Sequence, residues 1–144
     1  MASWDDVRRR LEDAIGALEP DAFVVLSEPT PPAGPPRGLL RRRHQPPSRY
    51  VQVRADGDST LYAECVGATS FGGDWEVTPA QDDLLRASGW YVPGRDNPWE
   101  VEQTYPNYFR YAEVSATGDV ARACVDALAI LGVDPAGLVW QDAH

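Results

Sequence analysis

The chain has 144 residues, 43% of them hydrophobic and 24% charged, the size and balance of one globular domain that buries a real core rather than of a disordered polymer. Its formal charge of −9 argues against general nucleic-acid binding, because a phosphate backbone demands a basic footprint. No stretch approaches the ~18 apolar residues of a membrane span, and the first residues have neither the basic nor the apolar region of a signal peptide, so a cytoplasmic protein is expected.

Ser3 as N-cap with Asp6 three residues on predicts a capping box, and Trp4, Val7, Leu11, Ala14, Ile15 and Leu18 follow at helical spacing up to Pro20. Ala22 to Glu28 is a short apolar run rich in β-formers and reads as a buried strand. Seven of the thirteen prolines then fall between Pro29 and Pro47. Residues 29–48 are therefore expected to form a long Pro/Arg-rich loop, with Leu39 to His44 at most a short edge strand. Five Arg and no acid lie between Arg37 and Arg49, while the other eight Arg face twenty-two acids and leave the rest of the chain at −14. A basic loop rides on an acidic body.

Arg49 to Ala55 and Thr60 to Val66 both alternate, and the Asp56-Gly57-Asp58 between them signals a hairpin. Val51, Val53, Leu61, Ala63 and Cys65 share its buried face, and Tyr50, Gln52, Arg54, Tyr62 and Glu64 point the other way. The glycine-rich Gly67 to Asp74 lacks the Lys-Ser/Thr ending of a phosphate loop and reads as a flexible connection. Thr78-Pro79-Ala80-Gln81 is a second capping box, opening a helix through Ala87 that Gly89 closes. Trp99 to Gln103 and Asn107 to Val114 read as a second hairpin. Ser115 or Thr117 then caps a last helix with Val120, Ala123, Cys124, Ala127, Leu128 and Leu131 on one side and Gly132 at its end. The fold expected is α+β, in the order α-βββ-α-ββ-α, with about five antiparallel strands and three helices gathered on one face.

Chemistry is sparse. The two histidines are His44, inside the Arg-rich loop, and the terminal His144, and neither stands where a nucleophile needs a base. No C-x-x-C, G-x-S-x-G or H-E-x-x-H motif occurs. Asp5-Asp6 and Asp82-Asp83 lie in first helical turns, where the dipole favours acids whatever the protein does. Cys65 and Cys124 read as small core residues rather than a bridge. The expectation is a non-enzymatic protein without metal or cofactor. The candidate partner-binding residues are Tyr50, Gln52, Tyr62, Glu64, Trp90, Trp99 and Tyr108, together with Arg41, Arg42 and Arg43 for an acidic partner segment.

Several short pieces in order carry a resemblance: Tyr50-Val51-Gln52-Val53, Leu61 to Val66, Gly89-Trp90 with Pro93, Asn107-Tyr108-Phe109-Arg110, and Leu131-Gly132-Val133 with Pro135 and Leu138. Together they resemble the actinobacterial TY-Chap domain family, relatives of the type III secretion chaperones and of the YbjN-like proteins. The resemblance implies one secretion-chaperone-like domain over residues 1–144 that binds unfolded or extended peptide segments, forms a homodimer and has no catalytic activity. The Pro/Arg insertion and the Gly67 to Gly73 stretch depart from the family pattern. Two other functions fit the residues. An immunity or antitoxin protein that blocks one toxin would concentrate its acids into one patch, and a small-molecule sensor would need an enclosed pocket.

Overall fold

The computed structural model describes residues 3–29, 48–57, 59–66, 75–91 and 107–143. Helix α1 runs Trp4–Gly16. Strands β1 (Phe23–Ser27), β2 (Tyr50–Asp56) and β3 (Thr60–Cys65) follow, then α2 (Pro79–Ala87), β4 (Tyr108–Glu113), a 3-10 turn at Val114–Ala116, α3 (Thr117–Ile130) and β5 (Val139–Ala143). The fold is α+β, as the sequence predicts: three helices on an antiparallel five-stranded sheet in the order β4-β3-β2-β1-β5.

Both capping boxes are formed. Ser3 accepts from the Asp6 N–H, and Asp6 accepts from the Ser3 N–H. Thr78 and Gln81 do the same for α2, and the Gln81 amide also donates to the Ile130 carbonyl at 3.1 Å. One residue thus serves the start of α2 and the end of α3, where helical carbonyls lack intrahelical donors. Gly89 (φ +97°) and Gly132 (φ +85°) follow the C-caps of α2 and α3 in the left-handed conformation that glycine adopts without cost. The start of α3 differs from expectation. Its N-cap is Ala116, which offers no side-chain acceptor, and the Thr117 hydroxyl instead donates to the Val114 carbonyl within the preceding turn.

Alternation in β2 and β3 places Val51, Val53, Ala55, Leu61, Ala63 and Cys65 under the helices. With Val24 and Leu26 of β1 they interleave with Val7, Leu11 and Ile15 of α1 and Val120, Cys124, Ala127 and Leu128 of α3. Full burial of each Leu or Val contributes about 1.5–3 kcal/mol. Both cysteines are free and buried here. Strand β5, unexpected from the sequence, pairs antiparallel with β1, Leu26 opposite Trp140. The expected strand Trp99 to Gln103 and the Pro/Arg-rich loop lie outside the described residues, apart from Pro29 and Ser48 at the ends of the loop.

Candidate functional site: the open face of the sheet

The face of the sheet turned away from the helices is set by the strand registers. One row across it is Phe109, Glu64, Gln52, Val25 and Gln141, and the next is Tyr111, Tyr62, Arg54 and Phe23. Tyr50 and Val139 flank Ser27 in a third. Its β3–β4 half is aromatic. The Tyr62 and Tyr111 rings lie 5.1 Å apart, Phe109 and Tyr111 6.2 Å apart edge to face, and Tyr91 and Phe109 5.5 Å apart. Such contacts suit the ring quadrupoles. The Arg54 guanidinium lies 5.1 Å over Tyr62, a cation–π contact at the edge of the belt. Tyr62 donates to Glu64 at 3.3 Å, and Asn107 donates to the Tyr50 hydroxyl at 2.8 Å. Tyr111 is 37% exposed, so this half offers aromatic surface with polar hydroxyls at its rim. Tyr91 also pairs with the outer edge of β4 by two backbone bonds to Phe109.

The four residues expected from alternation, Tyr50, Gln52, Tyr62 and Glu64, share this face. Two others correct the reading. Trp90 is 2% and Tyr108 0% exposed, so both are core residues and neither can meet a partner as the chain stands. Cys65 pairs with Tyr108, which turns Tyr108 to the helix side, where its hydroxyl donates to Asp82 at 2.7 Å. Trp99, Arg41, Arg42 and Arg43 lie outside the described residues. Sequence reasoning overlooked Tyr111, which alternation within Tyr108–Glu113 separates from Tyr108; Phe109 shares its side of the strand but is 1% exposed and packs between the Tyr91 and Tyr111 rings.

The groups whose ionisation is altered most lie away from this face. Burial pushes the Cys65 thiol well up, helped by Cys124, and pushes Cys124 up to about 12. Burial and then the bond to Asp82 raise Tyr108. Among the described residues, no group of three or more His, Cys, Asp or Glu is arranged to hold a metal ion, and no helix is long and apolar enough to cross a membrane. Two clefts of about 240 and 260 Å³ lie on the helix side, one beside Trp4 and Arg122, the other beside Arg10 and Trp140.

Along residues 1–144 the chain matches the model of a family described as "T3SS (YopN, CesT) and YbjN peptide-binding chaperone 3", TY-Chap3. The chain belongs to the TY-Chap3 family. No curated protein and no solved structure matches it. Membership gives the TY-Chap3 chain a chaperone-like, peptide-binding role in general terms and implies a binding protein rather than an enzyme. In this TY-Chap3 fold one sheet face is consumed by the core. Among the described residues, no helix covers the other.

Proposed function

We propose that the open face receives an extended segment of a client protein, with Tyr62, Tyr91 and Tyr111 as its aromatic platform, backed by the buried Phe109 ring, and Arg54, Gln52 and Glu64 as its polar contacts. The observation that carries this reading is the connected aromatic belt on a face that no described helix covers. Of its rings Tyr111 is 37% exposed and Tyr62 and Tyr91 are partly exposed, and aromatic rings supply contact area at low conformational cost. The Arg41 to Arg43 run serves acidic stretches of the client, and the cytoplasm is the compartment. The protein works as a homodimer. Acids on every helix and on the open face (Asp13, Asp83, Asp126, Glu64) favour this reading over an inhibitor with one concentrated acidic patch. The described clefts are smaller than the ~300–1,000 Å³ typical of small-molecule sites.

The experiment is NMR titration with reduced, carbamidomethylated ribonuclease A as an unfolded basic chain and folded ribonuclease A as control. Amides of β2, β3 and β4 should shift with the unfolded chain only, and Tyr62→Ser with Tyr111→Ser should weaken binding at least tenfold without loss of the fold. Light scattering on the same sample should report twice the 15.8 kDa chain. Shifts confined to the helix side, or affinity indifferent to the double variant, would sink the proposal for this face. A 15.8 kDa particle at high concentration would sink the dimer.

A further inference from the structure

The open face is graded along its strands as well as across them. Beyond the tyrosine row lies one more row, because register puts Glu113 opposite Thr60 and Thr60 opposite Asp56. Both carboxylates are exposed. Tyr111, Tyr62 and Arg54 form the next row, and Phe109, Glu64 and Gln52 the one after it. Over β3 and β4 the order along the strands is therefore carboxylate, paired rings, carboxylate: Glu113, then Tyr62 and Tyr111 with centroids 5.1 Å apart, then Glu64.

Charge on these rows is unbalanced. Among the described residues they carry Asp56, Glu64 and Glu113 against Arg54. The Arg54 guanidinium lies 5.1 Å over the Tyr62 ring, so the belt already seats one cation, drawn by the negative face of the ring. Glu64 accepts from the Tyr62 hydroxyl at 3.3 Å, and a carboxylate has about four lone-pair positions, enough for a further donor. Spacing then decides what fits. Residues two apart on one strand stand about 6.8 Å apart, and the alternate side chains of an extended client repeat at the same distance. A client running along β3 and β4 sets its facing side chains at i−2, i and i+2 over Glu113, the tyrosine pair and Glu64.

We propose that the client segment carries an apolar side chain flanked two residues away on either side by Lys or Arg. The proposal rests on the reading of the open face as the client site and adds the chemistry that this face selects. The pattern reads the same in both chain directions, so it holds whichever way the client runs. An acidic segment would set like charges against Glu113 and Glu64 and is disfavoured on this face.

The test titrates 15N-labelled protein with four acetylated, amidated peptides. SKSLSKS carries the pattern, and SESLSES and SQSLSQS change only its charge. KSSLSSK has the composition of the first but sets each lysine three residues from the leucine, on the far side of an extended chain. Amides of β3 and β4 should report tightest binding by SKSLSKS, severalfold ahead of SQSLSQS and KSSLSSK, with SESLSES weakest. Added sodium chloride should shrink that lead. Glu64→Gln and Glu113→Gln, made singly, should each reduce the lead of SKSLSKS over SQSLSQS, and the exposed Glu113 serves if Glu64→Gln does not fold. Reduced, carbamidomethylated ribonuclease A separates the two readings. If it shifts the face while SKSLSKS binds no better than SQSLSQS or KSSLSSK, or not at all, the proposal is overturned and the client site stands. If it leaves the face unmoved, both fall.

Discussion

At the level of single residues, Arg49 ties together parts of the chain that are distant in sequence. Its side chain joins the end of β1 through Glu28, the end of α3 through Leu131 and the start of the α2 segment through Trp75. Both ends of the pair are about one-fifth exposed, so it is screened far less than a surface ion pair. Arg49, chiefly through its side-chain hydrogen bond, holds the Glu28 carboxyl below its ordinary value of 4.5. A carboxylate whose folded pKa is depressed contributes stability that is complete above its unfolded pKa and is lost as pH falls through the folded value. Glu28→Gln is therefore expected to cost about 1–2 kcal/mol at pH 7, roughly 3–6 °C in Tm at this chain length. The deficit should hold down to about pH 5 and shrink below 4.5. Thermal melts of both proteins across that range test it; a deficit that grows on acidification would show that the pair is not the cause.

At the level of elements, the same pair closes the stem of the Pro/Arg-rich segment. Besides the side-chain bonds, Glu28 and Arg49 share a backbone bond from the Glu28 N–H to the Arg49 carbonyl, directly after the Ser27–Tyr50 pair of the β1–β2 ladder. Deletion of Pro31 to Pro46 is expected to leave the fold intact, because the stem is held from within and loop length costs only about 0.6 kcal/mol per doubling. A circular-dichroism melt within a few degrees of the parent is the outcome expected; an unfolded product would make Leu39 and Leu40 core residues. The elements readable in the sequence were those specified locally: two capping boxes, and a β2–β3 hairpin whose alternation fixes its buried face. Strand β5 was not readable. Its five residues hold no apolar run, Val139 is exposed, and its pairing with β1 comes from the far end of the chain. The open face was half readable for a related reason. Alternation located Tyr50, Gln52, Tyr62 and Glu64, whereas the parity of β4, which buries Tyr108 and turns Tyr111 outward, depends on its tertiary register against β3. The burial of Trp90 likewise depends on tertiary packing.

At the level of the whole molecule, one face of the sheet carries the core with the helices, so integrity depends on a single helix–sheet interface among the described residues. Cys65 and Cys124 lie on its two sides, one in β3 and one in α3, both with no exposure. Alkylation requires a thiolate and access to it. Burial denies both, since it raises each thiol far above neutrality. Modification must then pass through an opening that parts α3 from the sheet, and such an opening bares both cysteines together. When reclosing outpaces labelling, the rate reports the free energy of that opening. In native buffer with excess iodoacetamide, the two cysteines are expected to label at one common slow rate. Added urea should raise it with the slope of global unfolding, because the surface exposed is that of the entire core. Peptide mass spectrometry after quenching separates the two sites. If Cys124 labels faster than Cys65 with little dependence on urea, α3 detaches locally, and the helix layer and the sheet are not one cooperative unit.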